Sequence, residues 1–246
     1  MVDYDPRIVQ LYDTDNPDGA DHEYFRSLAD ELAARKVVDL GCGTGLLTVT
    51  FTKPGRTVVG IDPSQTMLDY AHTRPGAENV SWLLGDSRDI GDARTDLVVM
   101  SGNVAQHIRG KAWHQALSDI HGGLRPGGTL VFERRNPLAR AWEHWTKEKT
   151  YGTRNTAIGE LVEWYEVTSV DETGNVTFTS HNFLTTSGED KPDSITEHLT
   201  LSFLSQDQVS ADLEAAGFSV TGIWSGWHRE PMEATSPLMV FQAQRQ

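Results

Sequence analysis

An open α/β fold, a parallel sheet wrapped by helices, is the architecture that the sequence predicts. Short apolar runs and helical spacings alternate five times between residues 35 and 136. The runs are continuous rather than alternating in polarity, which implies strands buried on both faces. The first four runs also stop at glycine, aspartate or serine, residues that turn a chain.

The first strand, Val37-Val38-Asp39-Leu40, stops at Gly41-Cys42-Gly43-Thr44-Gly45. Leu46, Leu47, Val49 and Phe51 follow at the spacing of a helix. Thr57 to Ile61 is the second strand, closed by Asp62-Pro63-Ser64. A helix then carries Met67, Leu68 and Ala71, with Pro63 as turn former and Ser64 as its cap. Residues 79–84 form the third strand, ended by Gly85-Asp86, and residues 96–101 the fourth. Trp113, Leu117 and Ile120 share one face of a helix over 110–123, and Pro126-Gly127-Gly128 turns into a strand over Thr129–Arg134.

Residues 137–203 break the rhythm. A tryptophan-rich, charged segment (138–151) precedes three stretches of β character, Leu161–Val170, Asn175–Thr185 and Ile195–Phe203. Asp171-Glu172-Thr173-Gly174 is the first turn between them, and Ser187–Asp193 is a polar loop before the third. This region is expected to be an antiparallel insertion or cap, not a separate domain. The α/β pattern resumes with a helix from Ser205 to Ala216, ended by Gly217, and strands Phe218–Trp224 and Pro237–Gln244. The chain is therefore expected to be one domain: a core over 35–136, an insertion over 137–203 and closing elements over 204–246.

Composition narrows the partners. Against 21 basic side chains stand 35 acidic ones, a net charge of −14 that repels phosphate, and the longest basic cluster is Arg134-Arg135. A nucleic-acid partner is not expected. No apolar run approaches the ~20 residues needed to span a bilayer, so no membrane partner is expected either. The acidic, polar start, Met1 to Pro6, suits neither a secretory signal nor a transit peptide, and a cytoplasmic location is expected. One cysteine, Cys42, excludes an internal disulfide, and no His/Asp/Glu cluster has ligand spacing, so no metal is expected.

The densest chemical signal is Asp39 to Gly45. Glycines there let the backbone turn sharply and let a ligand approach the main chain. A dinucleotide site would want G-x-G-x-x-G, but Leu46 occupies the sixth place and the spacing is G-x-G-x-G. Asp39 would repel a pyrophosphate, yet it suits an ammonium group, directly or through water. A nucleoside with a cationic amino-acid arm fits better than a dinucleotide. Asp62, at the end of the second strand, stands where a carboxylate accepts from both ribose hydroxyls. Asp86, at the end of the third, is placed to accept from an adenine amino group.

Val37–Gly45, Asp62, Gly85-Asp86 and Leu124-Arg125-Pro126-Gly127-Gly128 resemble the motif series of class I S-adenosylmethionine-dependent methyltransferases. The resemblance covers roughly residues 35–136, and Leu204–Trp224 is similar to the closing part of that fold. It implies a doubly wound, mostly parallel Rossmann-like sheet of seven strands in the order 3-2-1-4-5-7-6, with one strand antiparallel. The cofactor is S-adenosyl-L-methionine, leaving as S-adenosyl-L-homocysteine. By this resemblance the loop Gly41, Cys42, Gly43 and Gly45 cradles the methionine part, with the Cys42 thiol a small buried filler. Asp62, followed by Pro63, binds the ribose. Asp86 and Ser87 meet the adenine, Met67 covers it, and Ser101 and Asn103 flank the sulfonium. Residues 1–34 form a helical lid in which Tyr12 bonds the donor carboxylate and Tyr4 lies nearby.

Methyl transfer from a sulfonium is an in-line displacement, so holding the nucleophile ~3 Å from the methyl supplies up to ~7–11 kcal/mol of catalysis. An oxygen or ammonium nucleophile also needs a base. His107, just after the fourth strand, is the expected base and a contact to the acceptor. His22, His144, His181 and His198 are expected at the surface. Trp142, Trp145, Trp164, Tyr165 and Phe183 of the insertion are expected to line a pocket for a flat or apolar small molecule. Nitrogen, oxygen and carbon acceptors all stay open, as does monomer against homodimer. The rival readings are a non-methylating nucleoside binder or cyclase on the same fold, and a nicotinamide-dependent oxidoreductase.

Overall fold

The computed structural model of the chain describes residues 3–91, 94–186 and 191–246. Strands β1 (Lys36–Leu40), β2 (Thr57–Asp62), β3 (Val80–Leu84), β4 (Thr95–Met100) and β5 (Leu124–Arg135) are joined by a parallel ladder. Two late strands, β10 (Phe218–Trp224) and β11 (Leu238–Arg245), complete a seven-stranded sheet in the order β10-β11-β5-β4-β1-β2-β3. β11 runs antiparallel to both β5 and β10. This is the expected 3-2-1-4-5-7-6 order, read from the other edge.

Successive side chains of a strand point to opposite faces. Here that alternation sorts the continuous apolar runs into two cores. Val38, Val98, Leu130 and Phe132 pack against α5 (Lys111–Gly123) and α7 (Gln206–Ala215) through Trp113, Leu117, Ile120, Val209 and Leu213. Val37, Leu97, Val99 and Val131 pack on the other face against Phe25 and Leu28 of α2 (Ala20–Glu31). Ser64 caps α3 (Gln65–Ala71) by accepting from the Met67 N–H at 3.1 Å. Ser205 caps α7 in a reciprocal box with Gln208.

Two expectations about elements are corrected. The segment after Gly45 is not an α-helix: only a single 3-10 turn, Thr48–Phe51, forms there. Its residues, Thr-Val-Thr-Phe, are β-branched or aromatic and hold helical backbone poorly. The insertion also has four strands, not three. After α6 (Lys147–Thr150), β6 (Gly152–Thr156) pairs with β7 (Gly159–Val170), which pairs with β8 (Asn175–Thr185) and then β9 (Asp193–Ser202), all antiparallel. β6 reads Gly-Thr-Arg-Asn-Thr and carries no apolar residue to betray it. The polar loop expected over 187–193 falls partly on residues 187–190, which lie outside the described residues.

The insertion is rooted to the core at its end. Gln106 Nε2 and Arg134 Nη2 both donate to the Ser202 carbonyl, at 3.2 and 3.1 Å, from fully buried side chains. Helix α1 (Pro6–Asp15) bridges the insertion and the core. Its Leu11 packs on Leu161 and Leu184, and Arg7 donates to Asp193 at 2.6 Å. Its Asp13 accepts from Thr44 Oγ1 at 2.6 Å and pairs with Arg74.

Candidate functional site

A cavity of about 680 Å3 opens at the carboxyl ends of β1, β2 and β3. That is where open α/β sheets take ligands, and the volume suits a nucleoside-sized molecule. Its wall includes Gly41, Gly43, Asp62, Pro63, Met67, Asp86, Ser87 and Gly102, closed from the lid side by Tyr4 and Tyr12 and from beyond β4 by His107.

The glycine loop is shaped by two close approaches. Gly41 sits at φ +78°, and a Cβ there would lie 2.5 Å from both methyls of Val104, the first residue of α4 (Val104–His107). Gly45 sits at φ +74°, and a Cβ would lie 2.5 Å from the Trp82 ring. Gly45 is thus demanded by packing behind the loop, whereas Gly41 and Gly43 border the cavity. Cys42 is buried, away from the lining, and burial pushes its thiol pKa well up.

Asp39 also lies behind the loop. It is 1 % exposed, accepts from Thr48 Oγ1 at 2.6 Å through one oxygen and leaves the other without a partner. Burial pushes its pKa up to about 7. Asp39, expected to meet an ammonium directly or through water, is therefore not among the residues that line the cavity.

Asp62 is the carboxylate the cavity does present. Its oxygens accept from the Gly43 N–H at 2.8 Å and the Ser64 N–H at 2.9 Å, which fixes the group at the cavity wall. Burial raises its pKa, opposed by those two N–H groups. The buried Met67 supplies an apolar wall, with Leu84 beside it. Asp86 accepts from Arg88 through both oxygens, at 2.8 and 2.6 Å, which holds its pKa below the usual range. Ser87 Oγ donates to Asp119 at 2.7 Å.

Beyond β4 the backbone turns left-handed at Gly102 and Asn103, φ +71° and +60°. The Asn103 N–H donates to Glu133 Oε1 on β5. Glu133 is 2 % exposed, its other oxygen has no partner, and burial pushes its pKa up to about 7. The sequence reading passed over Glu133; a single acidic residue at a strand end carries no motif. Ser101 and Asn103 themselves stand beside the lining residues Gly102 and Val104 rather than in the wall.

His107 closes α4 with its ring open to the cavity. His107 is exposed at the cavity edge; partial desolvation by its neighbours, with Arg135 and Arg109 nearby, lowers its pKa below the ordinary histidine value. The imidazole is therefore neutral at pH 7 and able to take a proton. Tyr12 and Tyr4 also have raised pKa values, both chiefly through burial, so their hydroxyls stay protonated.

The five aromatics expected at the acceptor pocket do not line this cavity. Trp142 packs edge-on against Phe203 at 4.6 Å and Trp145 against Phe178 at 4.8 Å, inside the insertion's own apolar cluster. Trp164 stacks on His181 and Phe183, at 4.9 and 5.0 Å, with Lys147 Nζ 4.0 Å above its ring. Phe183 is accordingly part of that stack. Tyr165, next in the strand, takes the opposite face. His22, expected at the surface, is buried beside Asp18, and His181 is half-buried in its stack.

Among the described residues no three His, Cys, Asp or Glu side chains gather as a metal site, and no helix is long and apolar enough to cross a membrane.

Residues 37–128 match the family described as methyltransferase domain. The chain is 27 % identical over 252 residues to the cypemycin N-terminal methyltransferase of Streptomyces sp, covering 99 % of this chain and 98 % of that one. It is 29 % identical over 149 residues to glycine N-methyltransferase of Mus musculus, covering 53 % of this chain and 51 % of the relative, so the match spans about half of that protein's length. In three dimensions it is similar to an S-adenosylmethionine-dependent methyltransferase from Clostridium acetobutylicum ATCC 824, with a TM-score of 0.77 at 14 % identity over 97 % of this chain and 98 % of that one.

Proposed function

We propose that the chain is a class I S-adenosylmethionine-dependent methyltransferase and that it methylates a nitrogen, oxygen or carbon nucleophile of a small molecule. The observation that carries the reading is the cavity at the strand ends, where Asp62 is fixed beside the glycine loop and His107 stands neutral beyond β4. The names of two relatives, a glycine N-methyltransferase and a cypemycin N-terminal methyltransferase, put nitrogen first among the three.

When bound, S-adenosylmethionine supplies a methyl group activated by its sulfonium. In this reading Asp62 accepts from the ribose hydroxyls with lone pairs that the Gly43 and Ser64 N–H groups leave free. Met67 and Leu84 would offer apolar wall to the base, and Ser87 would lie within reach of it. Gly41 and Gly43 allow the amino-acid arm to lie against the main chain. Tyr4 and Tyr12 cover the site and keep water from the reacting atoms. His107 receives the proton that an oxygen or ammonium acceptor gives up. A net charge of −14 favours a small-molecule acceptor over a nucleic acid.

Calorimetric titration with S-adenosylhomocysteine, with NAD titrated separately, tests the reading. Micromolar binding of the first and none of the second is expected. Asp62→Ala removes two charge-assisted hydrogen bonds and should weaken that binding ~100-fold or more. NAD binding in place of the nucleoside would instead point to a redox enzyme.

A further inference from the structure

The inner face of the insertion is ordered in rows across β7, β8 and β9. Leu161, Leu184 and Asp193 are register partners, and this row is covered by Leu11 and Arg7 of α1. Six residues further along β7, Val167 pairs with Phe178 and Phe178 with Leu199, a row covered by Trp145. Between these two covered rows stands a polar one, Tyr165, Ser180 and Glu197.

Glu197 is half-buried and has no hydrogen bond or ion pair among the described residues. Its acidic neighbours are all engaged. Asp3 accepts from Ser64 and Thr66, Asp5 from Arg7, and Asp15 and Glu163 share Arg154. The Glu197 charge is felt by the hydroxyls of Tyr4 and Tyr165, and Tyr4 is also a wall of the donor cavity. Helix α1 packs Leu11 on this inner face while the next residue, Tyr12, lines the donor cavity, so the face that carries the polar row lies on the lid side of that cavity.

A carboxylate partly removed from water with no partner is costly, and a cationic ligand relieves that cost. Tyrosine rings beside it add attraction for an ammonium through their π faces. Burial and the nearby Asp5 already raise the Glu197 pKa, which is the direction an unmet negative charge takes.

We propose that Glu197 is the acceptor-specificity residue: it receives a cationic amino group, and the acceptor is a small amine whose body lies between Tyr4 and Tyr165. The inference rests on the methyltransferase reading and narrows its acceptor class. In the reaction, the amine gives a proton to His107 or water, and its nitrogen lone pair then forms the new N–C bond. The C–S bond breaks, and its electron pair stays on sulfur, leaving the thioether.

The test uses the full chain with matched probes, benzylamine against benzyl alcohol and glucosamine against glucose. Release of S-adenosylhomocysteine gives turnover, and ligand-observed NMR on the S-adenosylhomocysteine-loaded protein gives binding. The amines are expected to bind at least tenfold more tightly than the alcohols. Glu197→Gln should remove that preference and raise the KM of any amine turned over by tenfold or more, with kcat changed less. Glu197→Asp should restore part of it, and S-adenosylhomocysteine affinity should stay within twofold in both variants, which shows that they are folded. Equal binding of amine and alcohol by the wild type, or an amine preference that survives in Glu197→Gln, overturns the proposal. Failure of S-adenosylhomocysteine to bind overturns the methyltransferase reading instead.

Discussion

Replacing Glu133 by glutamine should flatten the pH dependence of stability. The folded protein holds this carboxyl 2 % exposed, and burial moves its pKa from 4.5 to about 7. Asp21 opposes its charge from α2, while the Asn103 N–H and Arg135 partly favour it. Because the folded state binds the proton more tightly than the unfolded chain, the stability linked to it is fully present below pH 4.5. It is lost as pH rises through 7. A displacement of this size corresponds to about 3 kcal/mol. Glutamine keeps an oxygen to accept the Asn103 N–H but does not ionise. Urea unfolding from pH 4.5 to 8.5 should therefore show the wild type losing about 3 kcal/mol relative to Glu133→Gln. Asp39, also displaced to about 7, is present in both proteins and cancels in the difference. Parallel stability curves for the two proteins would refute the assignment of an isolated buried carboxyl at this position.

Two further predictions concern the cavity. His107→Asn should lower kcat ~100-fold or more for an acceptor that must lose a proton, with S-adenosylhomocysteine affinity unchanged. The wild-type rate should fall on acidification only below pH 6.5, since the imidazole must be neutral and its pKa is lowered, and that limb should vanish in the variant. Gly41→Ala places a Cβ 2.5 Å from the Val104 methyls at φ +78°, so urea unfolding should show a loss of about 2–4 kcal/mol. Calorimetry should show weakened donor binding with it.

The sheet was legible because its strands are buried on both faces and need little besides apolar residues. Val37-Val38 and Leu97-Val98-Val99 announce themselves without a partner. β6 did not, since its pairing energy lies in the backbone and its side chains are polar. The place of Asp62 in the cavity wall was legible because it follows from a strand end and the turn after it. The acceptor side was not. Trp142 and Trp145 looked like pocket walls, but aromatic mass is equally what a small sheet uses for its own core. Trp164 and Tyr165 are neighbours in sequence and opposites in space, and only the register with β8 tells which faces inward. Glu133 and Glu197 gave no signal, because an isolated acidic residue in a strand resembles any solvated one until its neighbours are known.

The alternation along β7 makes one strand a carrier of two separate texts. Residues 163 and 165, with 180, 182, 195 and 197 opposite them, share the inner face of the sheet on which α1 packs, whereas 162, 164 and 183 face away. A library of substitutions at the first set alters which acceptor fits, while Asp62 and the glycine loop, on other elements, stay as they are. A library at the second set alters only what the outside of the insertion meets. Because Ser202 is fastened to the core by Gln106 and Arg134, both sets vary over a frame whose anchorage does not change. The donor half and the acceptor half of such a protein can therefore evolve at different speeds.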